Sequence, residues 1–118
     1  MEINLIIVLG ILFIHWVADF LFQTDWMATN KSKDMFPLVS HTVVYSIIFG
    51  MCMLFINTPI ASSFMAITFM CHTITDYFTS RLNSKLWNEK KVHWFFVSVG
   101  FDQFLHYAQL LLTYYILK

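Results

Sequence analysis

This chain is short of charge. Only 12% of its 118 residues are charged, and seven basic residues balance seven acidic ones at a pI near 6.9. A soluble domain usually carries about twice that charge. A net charge of zero supplies no basic face or stripe, so nucleic acid is excluded as a partner. Cysteine is scarce as well. Cys52 and Cys71 each lie inside a long apolar run, where a thiol behaves as a small hydrophobe and makes no disulfide framework. The start, Met1-Glu2-Ile3-Asn4, lacks a positive n-region, and no small-residue cleavage site follows its apolar stretch. A removable signal peptide is therefore not expected, and the first helix should stay in the mature protein.

Apolar area is what the chain has in excess. Hydrophobic residues make up 58% and aromatics 19%, with thirteen Phe, and the mean hydropathy is +0.65. A soluble protein of this size could not hide that surface from water, so the expected solvent is lipid. Crossing the hydrocarbon core takes about 20 mostly apolar residues as a helix, because lipid offers backbone polar groups no partner. Four stretches qualify: residues 3–23, 36–56, 59–80 and 98–117. Val92 to Val97 is expected to lie along the interface before the last helix turns inward. Asn57-Thr58-Pro59 leaves room only for a tight hairpin between the second and third helices, with Pro59 opening the third where its missing N–H costs least.

Six of the seven basic residues lie in two polar connections, Thr24 to Met35 and Arg81 to Lys91. The positive-inside rule puts both connections in the cytoplasm and both termini outside. Trp26, Trp87 and Trp94 near one boundary and Tyr114 and Tyr115 near the other fit an aromatic belt. The expected fold is all-α, one domain over residues 1–118, an integral membrane four-helix bundle of a bacterial inner membrane. His15-x-x-x-Asp19 and His72-x-x-x-Asp76 sit at similar distances from the ends of their spans, an echo that suggests a parallel two-helix repeat.

The ionisable residues of the spans form a pattern. Residues four apart share a helix face, so His15 with Asp19, His72 with Asp76, and Asp102 with His106 each make a local pair. The second helix adds His41. At a rise of 1.5 Å per residue, Asp19, His41 and Asp76 fall roughly 7 Å inside the cytoplasmic boundary, and His15 and His72 roughly 13 Å. Asp102 and His106 fall at matching depths, so one layer can be a single site, with Gln23, Gln103 and Arg81 as further polar members. A charged Asp at mid-membrane costs about 2.5 to 3.5 kcal/mol, which pairing with His, a bound cation or access to water would offset.

The stretches His15-Trp-Val-Ala-Asp19-Phe-Leu-Phe-Gln23-Thr-Asp-Trp26, Lys31, His41, His72-x-x-x-Asp76 and Asp102-Gln103-x-x-His106 resemble a family of small membrane proteins of bacteria and phages, catalogued as domain of unknown function 3307. The resemblance covers nearly the whole chain. It implies a four-helix membrane fold and brings no activity with it.

Chemistry has to supply the function. Imidazole and carboxylate suit zinc and other first-row divalent ions. His15, His41, His72 and His106 are the candidate ligands, with His15, His72 and His106 the favoured set. Asp19, Asp76 and Asp102 are the candidate general-base carboxylates, with Asp76 or Asp102 completing the ligand set or orienting it. A metal-bound water could attack an ester or amide of an amphipathic small molecule or lipid at the membrane face. Two other readings use the same residues. Chains of His and Asp serve proton or metal-ion transport and sensing. The same pairs could instead be hydrogen-bonded glue in an interaction protein that binds a membrane partner or its own copy, each bond worth about 0.6 to 2 kcal/mol. Lys31 and Lys33 read as topology signals, and Arg81 as a partner for Asp76.

Overall fold

Side-chain caps open the first two helices. In the computed structural model, which describes residues 4–118, Asn4 Oδ1 accepts from the Ile6 amide at 2.8 Å and starts α1, Leu5–Trp16. The expected start of the first span at Ile3 lies outside the described residues. After Trp16 the chain loosens into a π-helical turn, Val17–Leu21, closed by the Phe22 amide on the Val17 carbonyl at 3.0 Å. Thr24 then caps the short helix α2, Asp25–Asn30, accepting from the Met27 amide at 3.2 Å. Three long elements complete the fold: α3, Met35–Ile56; α4, Ala61–Asn88, entered through a 3-10 turn that carries Pro59; and α5, Val92–Leu117. Among the described residues there are five α-helices and no strand.

The four expected spans map onto α1 with its π turn, α3, α4 and α5, with different ends. α4 continues to Asn88 instead of stopping at Ser80, and α5 is unbroken from Val92. Hydropathy ends a span where the apolar run ends, whereas a helix continues through Arg81, Leu82, Lys85 and Leu86, which are good helix formers. The turn between α4 and α5 is tight. Lys90 takes a left-handed conformation (φ 59°), and the Lys91 amide reaches back to the Leu86 carbonyl at 2.9 Å.

α3 packs on α4, α4 on α5, and the first helix touches both α3 and α5, so the four long elements close a ring. α3 and α4 come close at Gly50, where a Cβ would stand 2.7 Å from Met65 Sδ. Away from the polar loops, Ile11, Phe49, Met53, Phe64 and Leu110 fill the axis as an apolar plug. Toward the loops the interior turns polar: His15, Asp19, His41, His72, Asp76, Asp102 and His106 are all buried. The outside is the reverse, with Phe13, Met51, Phe55, Met70 and Phe104 exposed. Across residues 5–18, 35–56, 61–75 and 95–117 the only Asp, Glu, Lys or Arg is the buried Asp102. Among the described residues one helix, α3, with a mean hydropathy of 1.9, is by length and composition long and apolar enough to cross a membrane; Leu5–Leu21 is apolar but shorter. The inward polar stripes of α4 and α5 lower their averages while leaving their outer faces apolar.

Candidate metal centre

Three elements meet at the centre. Asp19 sits in the middle of the π turn, His41 is on the second turn of α3, and His72 and Asp76 are one turn apart on α4. A π turn changes the angular spacing of side chains and recurs at functional sites. Here it delivers Asp19 Oδ1 to 3.0 Å from His41 Nε2 and 3.4 Å from His72 Nε2. On the other side Asp76 Oδ2 is 3.4 Å from His41 Nε2 and 3.5 Å from His72 Nε2, and the two nitrogens are 3.2 Å apart. The same four atoms thus account for five edges of 3.0–3.5 Å. Donors bound to a tetrahedral zinc at 2.0–2.1 Å stand about 3.3–3.4 Å from one another, so these five edges are of the length that a zinc ion sets between its ligands. Hydrogen bonds explain them less well. A neutral imidazole carries at most one proton on Nε2, which cannot be shared among two carboxylates and a second imidazole.

A second group adjoins the first. His106 Nε2 lies 3.1 Å from Asp76 Oδ1 and 3.2 Å from Asp102 Oδ1. Thr79 Oγ1 donates to Asp102 Oδ1 at 2.6 Å, and Gln103 Nε2 donates to Asp102 Oδ2 at 3.2 Å and to Asp19 Oδ2 at 3.4 Å. Each group offers donors within 4.8 Å of one another, and Asp76 belongs to both.

His15 is in neither group, a departure from the favoured set. Its Nε2 is 2.7 Å from Gln103 Oε1 and its Nδ1 is 2.7 Å from the Tyr45 hydroxyl. An amide oxygen only accepts, so Nε2–H donates and Nδ1 accepts from Tyr45, which leaves no free lone pair for an ion. His41 takes the place expected for His15. Asp76, expected to complete or orient the ligand set, stands at a donor position, and so does Asp19, read from sequence as a base or orienting group. The expected His-x-x-x-Asp pairs are in contact, His15 with Asp19 at 3.6 Å and His72 with Asp76 at 3.5 Å, as is Asp102 with His106.

Arg81 and Lys31 exchange the roles expected of them. Arg81 turns away, donating to the Tyr77 carbonyl at 3.0 Å with its guanidinium 3.8 Å over the Tyr77 ring. Lys31, just past α2, reaches back into the ring of helices, where Nζ donates to Asp76 Oδ2 at 3.0 Å. Burial alone would pull the Lys31 pKa down. The carboxylates of Asp76 and Asp19 outweigh it and raise the value above the ordinary 10.5, so the ammonium stays charged.

Above the centre, at the loop end, opens a cavity of about 800 Å³. Its floor includes Asp19, Asp102 and Gln103, Lys31 lies at its side, and Phe20, Trp87, Phe95 and Phe96 form apolar wall. Gln23 Oε1, Ser80 Oγ and Asn83 Oδ1 line it and are buried with no hydrogen-bond partner among the described residues. Gln23 was legible in the sequence as a polar residue beside the spans; Ser80 and Asn83 gave no signal there.

A ring of helices around buried His and Asp donors, open at one end to a cavity, defines an all-helical protein with a candidate metal centre. The chain belongs to the family described as protein of unknown function, DUF3307, whose sequence model matches residues 6–118. No curated protein and no solved structure matches it.

Proposed function

We propose that this is an integral membrane protein of a bacterial inner membrane, whose buried centre binds a divalent cation, zinc by the chemistry of its donors, and hydrolyses an amphipathic substrate. The observation that carries the metal is the four-donor set of Asp19 Oδ1, His41 Nε2, His72 Nε2 and Asp76 Oδ2, with five of its edges at 3.0–3.5 Å. Two nitrogens and two oxygens suit zinc among the common divalent ions.

The membrane reading rests on the inversion of polarity between inside and outside. Exposed Phe, Met and Leu on charge-free outer faces suit lipid, and buried ionisable groups are what a membrane bundle turns inward. With Lys31, Lys33, Lys85, Lys90 and Lys91 at the cavity end, that end faces the cytoplasm, both termini face outward, and the spans form a four-helix bundle. The two halves, each with its His-x-x-x-Asp pair, then read as parallel repeats.

The cavity supports the substrate class. Its volume of about 800 Å³ falls within the roughly 300–1,000 Å³ of small-molecule sites. Aromatic walls suit an acyl or similar apolar tail, while Lys31 and the free oxygens of Gln23, Ser80 and Asn83 suit a polar head. The apolar plug of Phe49, Met53, Phe64 and Leu110 closes the other end, which favours a dead-ended site over a conduit.

Elemental analysis of the purified protein, before and after chelation, tests the reading. One or more tightly held divalent ions per chain is the expected result. Metal at background in protein that retains its helix content overturns it.

A further inference from the structure

Asp76 divides its two oxygens between two donor groups. Oδ2 faces His41 and His72 in the four-donor set, while Oδ1 faces His106, which also touches Asp102. The second group repeats the difficulty of the first: one Nε2 proton at most, between two carboxylate oxygens at 3.1 and 3.2 Å. Nothing in the site leaves Asp102 to wander. Thr79 and Gln103 each hold one of its oxygens, so the carboxylate is fixed with Oδ1 turned to His106.

The two groups differ in what they leave open. Four protein donors close a tetrahedral ion, as in structural sites, whereas a catalytic ion keeps a position for water. The second group has three donors, Asp76, Asp102 and His106, and Asp102 forms part of the cavity floor.

We propose that the centre is dinuclear: a closed first ion in the Asp19, His41, His72 and Asp76 set, and a second, open ion on Asp76, Asp102 and His106, with the Asp76 carboxylate bridging the two and the second ion doing the chemistry. The inference rests on the metal-binding reading above and specifies which ion acts. The first ion would fix the shared Asp76 carboxylate, and the second, with its open position, would supply the reactive water. A water on the second ion loses its proton to cavity water, since the ion lowers its pKa to about 7. The hydroxide donates a lone pair to the electrophilic carbon or phosphorus of an ester presented in the cavity. The bond to the leaving oxygen breaks with its electron pair, and that oxygen takes a proton from cavity water. Ester and water become acid and alcohol, with no oxidant or reductant involved.

The probe is the metal alone. Protein stripped by chelation is titrated with Co²⁺, following the visible spectrum and the ion count per chain. Two ions per chain are expected. The first should give the intense bands of a closed tetrahedral site, and the second weaker bands that shift when azide is added, because only the second has an open position. Asp102→Asn and H106A should each hold one ion with the tetrahedral spectrum unchanged and no response to azide, and H41A should lose the tetrahedral bands. Retention of those bands in Asp102→Asn shows that the variant is folded. A wild type that holds one ion per chain, unresponsive to azide and unaffected by Asp102→Asn, overturns the dinuclear inference and leaves the metal-binding reading standing. No bound ion in any sample removes both.

Discussion

The Tyr45 ring lies flat against His72, with centroids 3.8 Å apart and planes 17° from parallel. On its far side His72 stacks on His106 at 4.3 Å and 28°, so three rings from three helices form one pile. His72 Nδ1 is buried with no hydrogen-bond partner among the described residues, so stacking, instead of a bond to its far nitrogen, holds the plane of the ring. The pile aims His72 Nε2 at the four-donor set.

Tyr45→Leu and Tyr45→Phe should therefore separate. The Leu variant loses the stack, and its metal affinity should fall by about 10- to 100-fold, the range seen when the support of a ligating histidine is removed. The Phe variant keeps the ring and loses only the hydroxyl bonded to His15, so its affinity should stay close to wild type while stability drops by about 1 kcal/mol. Competition against a chelator of known affinity, with thermal melts alongside, measures both. Equal losses in the two variants would show that the hydroxyl, not the stack, matters.

Lys31 is the counter-charge of the carboxylates, and its Nζ sits on the Asp76 oxygen that faces the first set. An arriving cation meets an ammonium already there. Lys31→Met should raise affinity for the first ion by about tenfold, the equivalent of about 1.4 kcal/mol of relieved repulsion. The metal-free variant should be less stable by about 3 kcal/mol, because one partner of a largely buried pair is gone, and metal should restore it. With a pKa raised above 10.5, the Lys31 contribution is complete at neutral pH and is lost only as pH rises through the raised folded value. The stability gap between wild type and variant should accordingly be flat from pH 7 to 9. A gap that closes within that window would show that Lys31 is not held as the charged partner.

Part of this site was open to reading from the sequence. The 3.6-residue period fixes which residues share a face, and the rise per residue fixes their depth, so the pairs at 15 and 19, 72 and 76, and 102 and 106 and their common layer follow from spacing alone. What spacing cannot give is rotation within the layer. His15 and His41 compete for the same position, and the outcome depends on Tyr45 and Gln103 catching both nitrogens of His15. Nor does an apolar window show that a π turn carries Asp19, or that Lys31 folds back from a loop. Thr68 and Gln109 give no signal in the sequence either; Gln109 Nε2 donates to Thr68 at 3.3 Å and to Thr113 at 3.0 Å beside the apolar plug.

Lys90 offers a stability test unrelated to the metal. Its left-handed φ of 59° costs a residue with a Cβ about 1 kcal/mol relative to glycine at the same helix end. Lys90→Gly should raise the melting temperature in detergent without changing metal content. An unchanged or lower melting temperature would mean that the turn relaxes by another route.

Orientation in the membrane is tested by labelling. With Cys52 and Cys71 replaced by Ala, single cysteines at Lys33 and Asn88 should react with an impermeant thiol reagent only from the cytoplasmic side, and one at Thr58 only from outside. Lys33 and Asn88 line the cavity end, while Thr58 lies in the hairpin at the opposite end. The reverse pattern would put the cavity on the outer face and the substrate in a different compartment.

The sharpest alternative to a metal centre is that His and Asp only tie the helices together, and the two accounts differ in how losses combine. If an ion joins the first set, its donors act as a unit. H41A and H72A should each remove the first ion, and the double variant should lose little more, because losses from groups that act together do not add. His15→Ala should keep the ion, since both ring nitrogens are already engaged by Tyr45 and Gln103, and should cost about 1 to 3 kcal/mol of stability for the partners left unmet. If the residues are glue, metal stays at background in wild type and every variant, and the melting temperature falls in additive steps, with His15→Ala as costly as the others. Metal content and melting temperature across the three single variants and the His41/His72 double variant decide between them, because only an ion makes His15 and His41 behave differently in the first measurement.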